Sequence, residues 1–216
     1  MGGAKVIPFN WRHHMNSIKE LMGKINGILF TGGGNIIYNK SGELTNFAQK
    51  VCEIIAYAEE LNDNGTYFPI WGTCQGYELL TACRSPKENI FSDYDSNPSI
   101  STTIEFEHHA KDSRLFTKLG SHEGSKIIKD LSENAIALFG HNYGISPETW
   151  NSKEELHGYF NLLATSLDKQ GKQLVATIEA KDYPFYGIQY HPEKNPFEWI
   201  PEQYVHSLES IQASFY

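Results

Sequence analysis

Basic residues are scarce. Lys and Arg total 18 against 26 Asp and Glu in 216 residues, a formal net charge of −8, and such a surface is poorly suited to displacing the counterions of a nucleic-acid backbone. An anionic small molecule stays open as a ligand wherever cations cluster locally. Cysteine is scarcer still. Cys52, Cys74 and Cys83 are too few and too irregular for a disulfide framework, and no CxxC pair offers a zinc site, so the redox compartment stays open. No apolar run approaches the roughly 18 to 20 residues that span a bilayer. The opening MGGAKVIPFN lacks the apolar stretch of a signal peptide, and Val6 stands where a myristoylation signal needs Ser or Thr. Low-complexity tracts and internal repeats are absent. With 40% hydrophobic and 20% charged residues, the chain predicts one globular domain over residues 1–216, long enough to bury a core without disulfides or metals.

What is present alternates. AKVIPF (4–9) reads as a short strand, MNSIKELMGKI (15–25) as an amphipathic helix, and GILFT (27–31) as a fully buried strand running into glycines. In 42–63, Leu44, Phe47, Val51, Ile54, Ile55 and Ala58 fall at helical spacing. YFPIW (67–71) is a second buried strand, and CQGYELLTAC opens another helix. Strands joined by helices imply an α/β fold with a mostly parallel sheet flanked by helices. Beyond residue 95 the strands crowd together: 99–109, 135–140, 160–168, 173–181 and 185–190, before a last helix over roughly 202–216.

Ligands of open α/β sheets sit beyond the carboxyl ends of the strands, which selects three places. Gly72-Thr73-Cys74-Gln75-Gly76 has the spacing of a strand-to-helix elbow that pushes its central residue out of the turn. The helix N-terminus there is expected to lower the Cys74 pKa. The plainer reading of one cysteine is a buried core thiol. His191-Pro192-Glu193 supplies an imidazole that takes and returns a proton, and a carboxylate to orient it. Its plainer reading is a histidine packed at a strand end. Gly32-Gly33-Gly34 follows the strand at 27–31. Backbone N–H groups there, with that of Gln75, suit the oxyanion of a tetrahedral intermediate, worth roughly 3 to 4 kcal/mol per donor. A phosphate loop is the competing use, but GGGNIIYNKSG lacks the GxxxxGK[ST] pattern.

Together FPIWGTCQGYELL, YPFYGIQYHPEKNPFEW (183–199), INGILFTGGG (25–34) and FNLLATSLDKQGK (160–172) resemble the gamma-glutamyl hydrolases, a branch of the class I glutamine amidotransferase-like superfamily. The likeness runs from about residue 4 to the last helix. It implies cysteine-type hydrolysis of γ-glutamyl amide bonds, in folylpoly-γ-glutamates above all, with no metal or cofactor. By resemblance Cys74 is the nucleophile, His191 the base and then acid, and Glu193 its orienter. Gly32 or Gly33 with Gln75 donate to the oxyanion, and His141 in LFGHNYGI is a second active-site histidine that contacts substrate. A polyanionic substrate calls for cations, for which Lys194, Arg12, His13 and His14 are candidates. Trp71, Tyr77, Trp150, Tyr190 and Trp199 are either a stacking wall for a pterin or core. The family implies a lysosomal, vacuolar or extracellular setting, no membrane or nucleic-acid partner, and allows a homodimer. One departure lies at the front: family domains open with a further strand and helix, so the sheet is expected without its first strand and helix. The rival readings are a glutaminase subunit that passes ammonia to a synthetase, and a truncated, non-catalytic γ-glutamyl-binding protein.

Overall fold

Thr45 starts the longest helix: its hydroxyl accepts from the Ala48 N–H at 3.4 Å, satisfying one of the donors that a helix start leaves free. From there Ala48, Val51, Ile54, Ile55 and Ala58 recur along one buried face. This is α2 (Asn46–Asp63) of a computed structural model that describes residues 4–117, 121–199 and 204–215. In chain order the other helices are α1 (Met15–Met22), α3 (Gln75–Ala82), α4 (Arg114–Thr117), α5 (Ser121–Glu133), α6 (Pro147–Ser152), α7 (Glu154–His157) and α8 (Leu208–Phe215). The strands are β1 (Ile28–Phe30), β2 (Ile70–Thr73), β3 (Ser92–Asp93), β4 (Ile100–Thr102), β5 (Glu105–Phe106), β6 (Ala137–Phe139), β7 (Tyr143–Gly144), β8 (Phe160–Leu167), β9 (Gln173–Ala180) and β10 (Phe185–Ile188).

Six strands form the main sheet in the order β1-β2-β10-β9-β8-β5, while β3 pairs β7 and β4 pairs β6. The α/β class is as expected, but the sheet is mixed rather than mostly parallel. β2 runs parallel to both β1 and β10, whereas β10–β9, β9–β8 and β8–β5 are antiparallel. The cause is loop length: a parallel neighbour needs a crossover of a dozen or more residues, and the links from β8 to β9 and from β9 to β10 are only hairpins. Asp168 shapes the first of these, its Oδ1 accepting from the N–H groups of Gln170 and Lys172.

Three other expectations are corrected. Residues 4–9 form no strand: Pro8 brings no N–H to a ladder, and Val6 and Ile7 stay exposed. The strand at 27–31 is not fully buried, because β1 is an edge strand whose Leu29 is 58% exposed. The single strand expected at 99–109 splits at Thr103–Ile104, β4 joining β6 and β5 joining β8. Cysteine also holds more structure than its count suggested. Cys52 of α2 and Cys83, just after α3, form a disulfide across a sequence separation of 31.

One core lies between the sheet and α1 to α3, where Ile54, Ile55, Phe68, Ile70 and Leu80 are all but sealed. A second gathers Ile104, Phe139, Leu163, Leu174 and Ile188 with Phe116 of α4 and Ile127 of α5. Every residue of α3 is buried, so the turn that delivers it is held from all sides. Among the described residues no helix is long and apolar enough to cross a membrane.

Candidate active site

The elbow forms where the spacing placed it. β2 ends at Thr73, α3 begins at Gln75, and Cys74 between them takes φ 52° and ψ −107°, the one non-glycine residue with positive φ among the described residues. Such backbone strain persists only when its surroundings hold it. The Cys74 amide donates to the Ile188 carbonyl of β10 at 2.8 Å, and its own carbonyl accepts from the Glu78 N–H at 2.9 Å. Gly76 lets α3 close on β1: a Cβ there would stand 2.1 Å from the Phe30 carbonyl oxygen.

A cavity of about 400 Å³ opens over this turn, lined by Cys74, Gly32, Gly33, His191, Glu193 and Lys194. Three stretches distant in sequence therefore meet at one sheet end. Ser99 and Gly140 also line it and carried no sequence signal. His191 is fixed at both ends: its amide donates to the Leu138 carbonyl of β6 at 2.7 Å, and its ring Nδ1 lies 2.7 Å from Glu193 Oε1. A carboxylate accepts only, so Nδ1 carries the proton and Nε2 is left as the basic nitrogen. Gly32 is wedged between imidazole and thiol, because a Cβ at 32 would meet His191 Cε1 at 2.6 Å and Cys74 Cβ at 3.6 Å.

The glycine loop is tied to the elbow by Gln75, whose side chain the sequence reading left out. Its Nε2 donates to the Asn35 carbonyl at 2.6 Å, and its Oε1 accepts from the Asn35 amide at 3.2 Å. The N–H groups of Gly32, Gly33 and Gln75 meet no carbonyl among the described residues. The Gln75 N–H, first in its helix, faces Cys74 closely enough to favour the thiolate.

The expected lowering of the thiol pKa is reversed. Burial pushes Cys74 up to about 12, the Glu78 and Glu193 carboxylates add to the rise, and the Gln75 and Gln189 N–H groups only partly offset it. A helix end is a local influence, and here desolvation outweighs it. Gln189 and Glu78 are the other residues that sequence reasoning missed as part of the site. Gln189 Nε2 lies 3.8 Å from Cys74 Sγ and 3.2 Å from Glu78 Oε1.

His141 is buried and does not line the cavity, although Gly140 beside it does. Its Nδ1 faces the Tyr143 carbonyl at 2.7 Å, which fixes the proton there, and Nε2 is sealed without a partner among the described residues. Burial pushes its pKa down to about 4, against the Tyr143 hydrogen bond and with help from His191. Lys194 reaches the cavity with its ammonium on both Glu198 oxygens, at 3.0 and 3.1 Å. That ion pair keeps its pKa raised although burial works the other way. Arg12, His13 and His14 lie away from the cavity, Arg12 over the Trp11 ring. Of the aromatic set, Tyr77, Trp150 and Tyr190 are core. Trp71 lines an apolar cavity beside Glu193, and Trp199 is 72% exposed and stacked on His206. Among the described residues no group of three or more His, Cys, Asp or Glu is placed to hold a metal.

The profile of the family "Glutamine amidotransferase class-I" matches residues 2–203. The chain is 32% identical over 215 residues to "Gamma-glutamyl hydrolase B" of Dictyostelium discoideum, covering 99% of this chain and 59% of that protein. It is 32% identical to "Gamma-glutamyl hydrolase 1" of Arabidopsis thaliana, over 99% of this chain and 58% of that one. With "Gamma-glutamyl hydrolase" of Rattus norvegicus the identity is again 32%, over 99% and 64%. The chain thus spans less than two thirds of the length of these curated relatives.

Proposed function

The chain belongs to the class-I glutamine amidotransferase family, and from that premise we propose that it hydrolyses γ-glutamyl amide bonds with Cys74 as nucleophile. The observation that carries the proposal is that a strained elbow thiol, an imidazole held by a carboxylate and the glycine loop line one cavity together. The names of the relatives supply the bond type.

Cys74 rests as a thiol, so its proton must leave as the bond forms. His191 Nε2 takes that proton while Sγ attacks the γ-carbonyl carbon. The N–H groups of Gln75 and of Gly32 or Gly33 receive the oxygen that becomes negative. Collapse of the tetrahedral intermediate breaks the C–N bond, and His191 hands its proton to the departing amine. Water, deprotonated by the same nitrogen, then attacks the thioester and releases the γ-carboxylate and the thiol. Glu193 holds the ring in the tautomer that all these steps require. Lys194 spends two of its three N–H groups on Glu198 and offers the third to a carboxylate of a poly-γ-glutamyl chain, the substrate class that a folate conjugate brings.

The family match also fits a glutaminase, since free glutamine carries the same γ-amide. Incubation with a folate pentaglutamate and, separately, with glutamine distinguishes the two by product mass. Shortened folate chains are expected. Ammonia from glutamine with the folate conjugate intact would replace the hydrolase reading, and no product from either by a natively folded chain would end both.

A further inference from the structure

One carboxylate stands beside the nucleophile, and the chemistry above does not use it. Glu78 lies one helical turn beyond Cys74, 8% exposed, and its carboxylate accepts from the side-chain amide of Gln189. Gln189 is sealed, follows β10 directly, and points the same Nε2 at both Glu78 Oε1 and Cys74 Sγ. Its Oε1 is buried without a partner among the described residues. Neither residue lines the cavity, so the pair meets the thiol from outside it.

An amide has two ends. Unguided, Gln189 could bury its oxygen against the sulfur, where it would repel the electrons gathering there. An acceptor at position 78 decides otherwise, because it binds one Nε2 hydrogen and so aims the other at Sγ. We propose that Glu78 is a positioning residue for Cys74 that acts through Gln189, the carboxylate fixing the amide so that its second N–H steadies the attacking sulfur. This rests on the reading of Cys74 as nucleophile. An unpartnered Gln189 oxygen is the cost of that orientation, since burying a polar atom without a bond is unfavourable.

The groups around Glu78 leave it this task. Tyr77 shares its helix and feels its charge, and Cys74 stands just before that helix begins. β1 and β2 bring no titratable side chain, and beyond β10 come Gln189, Tyr190 and His191. On α2, Glu59 is engaged by Arg84 and Tyr159. Among the described residues no cation contributes to the state of Glu78, whose pKa burial pushes up to about 7 against the Gln189 hydrogen bond.

Cys74 is the only free cysteine, so alkylation by iodoacetamide reads its sulfur without any substrate. Glu78→Gln and Glu78→Leu remove the same charge, but only the first keeps an acceptor, and the ratio between them isolates the positioning. At about pH 8 we expect Glu78→Gln to alkylate about fivefold faster than Glu78→Leu, the size of one net hydrogen bond. With Gln189→Leu in both, the two rates should coincide, because the effect passes through that amide. kcat on the γ-glutamyl substrate should follow the same pattern with KM unchanged. Equal rates for the two Glu78 variants while Gln189 is present, or a difference that persists once it is gone, each with native circular dichroism, overturns the proposal. If wild-type protein turns over no substrate yet the alkylation pattern holds, the hydrolase reading falls and the positioning stands.

Discussion

Two buried groups flank the candidate site with opposite proton preferences, and removing either should expose the other in the pH dependence of stability. Burial raises Glu78 from 4.5 to about 7 and lowers His141 from 6.5 to about 4. Each displacement corresponds to about 3 kcal/mol. Folded Glu78 keeps its proton up to about pH 7, whereas the unfolded chain releases it near 4.5. Its contribution is full below 4.5 and is lost as pH rises through 7. His141 behaves inversely: the unfolded chain protonates it near 6.5 and the folded chain only near 4, so its contribution is full above 6.5 and is lost as pH falls through 4. Between 4.5 and 6.5 the two slopes oppose and nearly cancel. Glu78→Gln should unmask His141, so that stability relative to wild type climbs by about 3 kcal/mol from about pH 4.5 to about pH 7. His141→Asn should unmask Glu78 and give a relative fall of similar size from about pH 4 to about pH 6.5. Urea unfolding at several pH values in that window measures both, and other titrating groups drop out because they are common to all three proteins. If the difference between Glu78→Gln and wild type does not change with pH, Glu78 is ionised throughout and the argument from burial is wrong.

Cys74→Ala should abolish hydrolysis with an unchanged circular dichroism spectrum, because no other side chain at the elbow can form the acyl-enzyme; retained turnover would end the thiol mechanism. His191→Asn should lose more kcat/KM than His141→Asn, since His191 lines the cavity and His141 stands behind it; equal losses in folded variants would show the roles to be misassigned. Breaking the Cys52–Cys83 bond with serines should leave kcat intact but cost about 3 to 4 kcal/mol, the closure entropy of a loop of that length. A urea midpoint unmoved by the double serine variant would show that the loop is already held by the packing of α2 on α3.

What could be read beforehand was whatever one short segment imposes on itself. The spacing around Cys74 demands a strained turn wherever it folds, and His191 two residues before Glu193 makes their hydrogen bond almost a local matter. Features made by contact between distant segments were hidden. Gln189 reaches Glu78 across 111 residues, and nothing about either residue type announces a partner. The thiol pKa shows the same division: the helix N-terminus is visible in sequence and points down, while the burial that outweighs it belongs to the tertiary structure. The pairing of Cys52 with Cys83 is set by how α2 lies on α3, a relation no spacing rule supplies. The mixed sheet is different, because its signal was present. Residues 168–172 and 181–184 are too short for a crossover helix, so β8, β9 and β10 had to run antiparallel. That hairpin return sets β10 beside β2, and so delivers Gln189 and His191 to the cysteine from the far end of the chain.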